Sequence, residues 1–252
     1  MKTPIESCAP PVVIPHGACE PAFSLQLIPL SEGVPPVFIS ARASIRIGRA
    51  TRRADVVTRF LPETAQNARL TSRLGRIHVI GRRVNGWPCF WDGDGEDPST
   101  NGAWLDGKRL DFDAGARIQS TSTLRLGREY ELQAVCQKDE AACFPKNEPT
   151  SETSVIFLPA KNHQAAGLFA WMGNSLALHA NGTGLEWPLD AAHPPLCALL
   201  FAEGGFWIAN LALAPENIRL QDKPLAQGKA APLHAGEVLQ LGPWGYRVAC
   251  AV

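Results

Sequence analysis

From Phe23 onward, apolar and polar residues alternate in short runs. Phe23-Ser24-Leu25-Gln26-Leu27 alternates at period two, as a half-buried strand does. Val37-Phe38-Ile39, Ser44-Ile45-Arg46-Ile47, Ile77-His78-Val79-Ile80 and Cys89-Phe90-Trp91 read as further strands, and Val155-Ile156-Phe157-Leu158 resumes the pattern late in the chain. Pro29, Gly33-Val34-Pro35-Pro36 and Asn85-Gly86 punctuate them. Strand signals return at roughly eight- to twelve-residue spacing, and no 3.6-residue period is sustained. Residues 58–71, with Pro62, form an unusually long connection. This pattern predicts an all-β chain of the sandwich type.

The densest turn signals lie in Ser99 to Leu110. Asn101-Gly102 tolerates a left-handed backbone, and Asp106-Gly107 between Trp104-Leu105 and Leu110 is a hairpin signal. Shifting the chain by 115 positions lays Asn101–Gly127 over Glu216–Gly242 without a gap, and seven of 27 positions agree. The matches are Leu105/Leu220, Lys108/Lys223, Leu110/Leu225, Ala116/Ala231, Leu124/Leu239, Leu126/Leu241 and Gly127/Gly242. Most are alternating apolar positions, so the repeat preserves a core. A length of 252 residues suits two sandwiches of about 100 residues each. The expected organisation is a Pro-rich extended or disordered tail over 1–21, a first unit over 22–136, a polar linker over 137–153 and a second unit over 154–252.

Net charge is zero, yet the charges are segregated. Residues 42–83 hold eleven Arg and no Lys against Asp55 and Glu63, whereas 92–113 hold seven acids against Lys108 and Arg109. A guanidinium offers phosphate a planar fork, which an ammonium does not. A nucleic-acid face would recruit Lys and interleaved aromatics, and this stretch has only Phe60, so no nucleic-acid partner is expected. No run of about 18 apolar residues is present, so no membrane partner is expected. The first residues lack the apolar core of a secretory signal, and seven Cys without C-x-x-C spacing point to a reducing compartment; the expectation is cytoplasmic, with no disulfide framework, metal site or cofactor. Ser72 has no Gly-x-Ser-x-Gly context, no P-loop occurs and no His-Glu pair has metal spacing, which argues against an enzyme.

Several stretches together resemble the forkhead-associated (FHA) family. Ile45-Arg46-Ile47-Gly48-Arg49 resembles its first signature, a strand ending in Gly-Arg, and Asp55-Val56-Val57 follows at a similar distance. Thr71-Ser72-Arg73 with His78 resembles the Ser-Arg-x-His signature, and Ser99-Thr100-Asn101-Gly102 the Ser-x-Asn-Gly loop. Leu124-Arg125-Leu126-Gly127 resembles the closing strand. The resemblance covers residues 45–127; the second half is similar to a degenerate FHA-like repeat. It implies two tandem FHA-like β-sandwiches, the first reading phosphothreonine with its loops.

A phosphothreonine carries about −1.5 to −2 charges and three acceptor oxygens, so its cradle needs charge-assisted donors. By resemblance, Arg49 bonds the phosphate, Ser72 completes the cradle, Arg73 and Arg76 add contacts, and Asn101 holds the peptide backbone. The resemblance makes His78 a structural brace, with Gly48 and Gly102 as sharp turns. Ser72 stands six residues before His78 where the family has three. Either three residues are inserted after Ser72-Arg73, or Gly75-Arg76-Ile77-His78 is the true register; the hydroxyl pair Thr71-Ser72 beside an Arg favours Ser72. In the second half Glu216 falls over Asn101 and His179-Ala180 over Gly48-Arg49, so phosphate chemistry is not expected there. The implied role is a non-enzymatic adaptor for phosphothreonine proteins downstream of a Ser/Thr kinase. The alternative is a phosphate-independent scaffold in a larger assembly.

Overall fold

The computed structural model describes residues 22–137, 153–159, 167–181, 184–186, 195–211 and 217–251. The expected tail over 1–21 and most of the expected linker lie outside the described residues, as do Trp187 and Glu216. Strands dominate, as the alternation predicts. In order they are β1 (Ser24–Pro29), β2 (Val37–Ser40), β3 (Ser44–Gly48), β4 (Val56–Val57), then α1 (Ala65–Ser72). Next come β5 (Val79–Val84), β6 (Trp87–Asp92), β7 (Ala103–Leu105), β8 (Lys108–Arg109), β9 (Ala116–Arg117), β10 (Thr121–Leu126) and β11 (Tyr130–Gln137). The later strands are β12 (Ser154–Pro159), β13 (Leu168–Trp171), β14 (Ser175–Asn181), β15 (Gly184–Glu186), β16 (Cys197–Ala202) and β17 (Gly205–Asn210). They end with β18 (Ile218–Leu220), β19 (Lys223–Pro224), β20 (Ala230–Pro232), β21 (Val238–Leu241) and β22 (Trp244–Ala251).

The helix α1 occupies the long 58–71 connection, where no periodicity announced it. Thr64 caps it by accepting the Asn67 N–H at 3.2 Å, but none of its residues is fully buried. A helix without an apolar stripe leaves no 3.6-residue signal to read.

Strands β4-β3-β5-β6-β9 form one five-stranded sheet and β15-β14-β16-β17-β20 another. The remaining twelve form a continuous sheet in the order β19-β18-β21-β22-β1-β2-β13-β12-β11-β10-β7-β8. The two halves of this long sheet repeat each other in register: Leu105 pairs with Leu124 as Leu220 pairs with Leu239. The hairpin tips repeat as well, with positive φ at Asp106 and Gly107 and at Gln221 and Asp222.

Strand pairing does not follow the halves of the chain. The N-terminal hairpin β1–β2 lies against the last strand, Leu25 opposite Cys250 and Leu27 opposite Val248. The hairpin β12–β13 lies against β11, Ala134 opposite Phe157. The two hairpins meet in parallel, Phe38 opposite Phe169, which removes what would otherwise be two sheet edges. Their neighbours across the sheets therefore come from the far half of the sequence. Leu25, Leu27, Val37 and Ile39 join a core with Leu176, Leu199, Phe206 and Tyr246. Val155, Phe157, Phe169 and Trp171 join a second core with Ile45, Ile47, Phe90 and Leu124. Alternate residues of the seam strands enter opposite cores: Ile156 and Ala170 belong to the first, Phe157 and Trp171 to the second. A seam buried on both faces needs apolar residues at every position, which is what Val155-Ile156-Phe157-Leu158 supplies. No helix among the described residues is long and apolar enough to cross a membrane.

Candidate functional site

The expected site residues converge on one segment, 73–78, which runs from the end of α1 to the start of β5. Arg49, just past β3, donates its backbone N–H to the Gly75 carbonyl at 3.0 Å and its Nε–H to the Leu74 carbonyl at 2.7 Å. Ala50 donates to Arg76 O at 3.1 Å. Gly48 is required by this approach rather than by a turn. A Cβ there would stand 2.3 Å from the Arg76 carbonyl oxygen, so backbone passes where any side chain would begin. Gly102 does require its left-handed φ of 71°.

On the other side, Asn101 Nδ2 donates to Arg73 O at 2.6 Å. Arg49 and Asn101 therefore hold consecutive carbonyls, Leu74 and Arg73. His78 joins the loops from below and is completely buried. Its Nδ1 accepts the Gly75 N–H at 2.8 Å, so the ring proton resides on Nε2, which donates to Gly102 O at 2.7 Å. Burial holds its pKa below the usual histidine value, against smaller opposing effects of the Gly102 carbonyl and the Asp92 carboxylate. The ring is thus a neutral brace with both nitrogens used. Ser99 anchors the Asn101 tip, its hydroxyl donating to Asp92 Oδ1 at 2.6 Å.

Two of the expected residues share a hollow. Arg49 and Ser72 line a space of about 510 Å³ with Arg59, Glu63, Thr64 and Thr71. Ser72 ends α1, and its hydroxyl donates to Arg69 O at 2.7 Å. Thr71 is committed elsewhere, its Oγ1 accepting the Phe60 N–H at 3.1 Å. Arg73 and Asn101 line a second hollow of about 290 Å³ with Arg128, Glu129 and Tyr130, and the Arg73 guanidinium meets Glu129 at 3.5 Å. Arg76 takes part through its carbonyl, with an exposed side chain.

The two candidate residues of the Ser-Arg loop have different surroundings. Gly75 keeps the three-residue spacing to His78 and uses it for the N–H···Nδ1 bond. A Cβ on Gly75 would stand 2.6 Å from Ile77 O, so no hydroxymethyl group fits without moving the loop. Ser72, by contrast, is exposed and lines the Arg49 hollow together with Thr64 and Thr71.

Sequence reasoning missed Arg59, and it also missed Trp104, Arg109, Arg125 and Arg128, which border Asn101. Leu124-Arg125-Leu126 marks Arg125 as outward-facing, but only strand register brings it opposite Trp104. In the second half, Leu176 and Leu178 of β14 are buried as Ile45 and Ile47 of β3 are. His179 then stands at the place of Gly48, and Ala180 follows where β3 is followed by Arg49. Among the described residues no group of His, Cys, Asp or Glu could hold a metal ion. Neither a scan against protein-family models nor a search of curated proteins finds a match for this chain.

Proposed function

We propose that this chain is a phosphothreonine-peptide-binding adaptor of FHA-like type, acting downstream of a Ser/Thr kinase in the cytoplasm. The observation that carries this reading is the hollow lined by both Arg49 and Ser72, with Asn101 bonded to the adjacent carbonyl of the same segment. Arg49 Nε is used by Leu74 O, which fixes the plane of the guanidinium and leaves its two terminal nitrogens for a phosphate. Loops set on a rigid sheet frame with an Arg cluster are a common phosphopeptide-recognition mode. The second half, lacking an Arg at position 180, serves as structural partner or protein contact.

A phosphate-independent scaffold is the second reading. Favouring it, one of the two Asn101 Nδ2 hydrogens is used internally, and Glu63 lines the Arg49 hollow, where its carboxylate would repel a dianion. Calorimetric titration of the full chain with paired threonine and phosphothreonine peptides decides between them. Phosphate-dependent binding that Arg49→Ala weakens roughly 10- to 150-fold supports the first reading. Partner binding that survives phosphatase treatment and Arg49→Ala supports the second.

A further inference from the structure

The outer face of β7, β8 and β10 carries chemistry that the phosphate loops do not use. Trp104 lies opposite both Arg125 on β10 and Arg109 on β8, so one indole has an arginine on each neighbouring strand. The Arg125 guanidinium carbon sits 4.5 Å from the ring centroid. Arg128, in the following turn, adds a third guanidinium. With Thr100 and Asn101 they line a hollow of about 360 Å³ that has no carboxylate in its wall.

Among the described residues, the acids near this shelf do not pair with its arginines. Glu129 pairs with Arg73 at 3.5 Å, and Asp106 accepts the Thr123 N–H at 2.7 Å. Glu131 is the cross-strand neighbour of Arg125, yet among the described residues Arg109, Arg125 and Arg128 form no ion pair. Arg125 Nε is shielded from solvent and has no hydrogen-bond partner. Because that N–H is shielded, an anion in the hollow would meet the terminal nitrogens of the guanidinium instead. The hollow is also continuous with the phosphate loops. A Cβ on Gly102 would touch both the Trp104 ring at 3.1 Å and Arg109 Nε at 3.5 Å, so the shelf abuts the Asn101 tip itself.

We propose that this shelf is a second anion subsite, which takes an acidic side chain flanking the phosphothreonine in the same ligand. The assignment rests on the phosphopeptide reading above and narrows it to acidic peptides. A carboxylate matches the planar fork of Arg125 or Arg109. A nucleic acid base would have to compete with Arg125, which already stacks on one face of the indole.

The test is an oriented phosphothreonine peptide library, degenerate on both sides, applied to the full chain and to Arg109→Gln/Arg128→Gln. Both substituted residues are exposed, so folding is preserved. Arg125→Lys, which keeps charge but not the fork, is a third sample. The expected result is enrichment of Asp or Glu at one position, with acidic peptides bound roughly tenfold more tightly than their Ala counterparts. Both variants should erase that preference and leave the Ala peptide unchanged. Phosphothreonine-dependent binding with no acidic preference overturns the subsite and leaves the phosphate site standing. An acidic preference equal in unphosphorylated peptides, and lost in the variants, keeps the subsite and sinks the phosphothreonine reading. Stronger enrichment of a second phosphoresidue than of Asp or Glu reassigns the shelf to phosphate. Single-stranded oligonucleotide binding lost in the same variants overturns the peptide assignment.

Discussion

Trp171→Ala tests the exchange of hairpins directly. Trp171 lies in the second half of the sequence, but its fully buried side chain packs with Phe90 at 6.2 Å between centroids and belongs to the core of Ile45 and Leu124. Its indole N–H donates to Arg42 O at 2.7 Å, and the Arg83 guanidinium carbon sits 4.4 Å from its ring centroid. Replacing a buried Trp by Ala costs about 3–5 kcal/mol, and the lost hydrogen bond adds about 1 kcal/mol. That sum is a large share of a total stability of about 5–15 kcal/mol. Urea unfolding followed by circular dichroism, with amide exchange read separately over 45–127 and 197–248, should show a single lowered transition. Protection over 45–127 should fall although the substitution lies outside it. Exchange over 45–127 unchanged from wild type, or a loss below about 1 kcal/mol, would refute the reasoning. It would mean that β12–β13 is not part of that core. By the same logic a fragment ending at Gln137 lacks Val155, Phe157, Phe169 and Trp171 and should not fold.

Gly48→Ala should destabilise by on the order of 1–3 kcal/mol in denaturant titration, because its Cβ meets the Arg76 carbonyl at 2.3 Å. Gly75→Ser should lower stability and weaken phosphopeptide binding, while Ser72→Ala should leave stability within about 0.5 kcal/mol and weaken binding several-fold. Tighter binding by Gly75→Ser, measured by calorimetry, would establish the Gly75 register instead. His78 has a folded pKa below its unfolded value of about 6.5, so the unfolded chain binds more protons just below that pH. Its contribution should be complete above about pH 6.5, decline as pH falls through that value and level off below the depressed folded pKa; His78→Gln should abolish this slope in pH-dependent melting. Burial raises the Cys136 thiol to about 11, so its alkylation at neutral pH should be slow in the native state and fast in urea, as mass spectrometry would show.

Much of the architecture was legible before any coordinates. Period-two alternation and turn dipeptides identify an all-β chain, because strand geometry leaves a period that any half-buried strand must carry. The repeat between Leu105–Gly127 and Leu220–Gly242 reappears as equivalent strand pairing, since a core of fixed register constrains the same alternating positions. Arg49, Ser72 and Asn101 could be nominated from residue type and order alone.

Other features were decided only by tertiary structure. Helix α1 was invisible because it buries no residue fully and so needs no apolar stripe. Spacing to His78 pointed to Gly75 and residue type to Ser72; that the Ile77 carbonyl crowds Gly75 is chain proximity, which is not written in any local pattern. The Trp104–Arg125 shelf needed cross-strand register, which pairs residues far apart in sequence. Hairpin partners were the deepest ambiguity. Leu25 and Ile156 both ask to be buried, but hydrophobicity carries no address, and an apolar strand satisfies either core equally well. The continuous run Val155-Ile156-Phe157-Leu158 recorded that both faces are covered; which half of the chain covers each face was settled only when the sheet closed across β2 and β13.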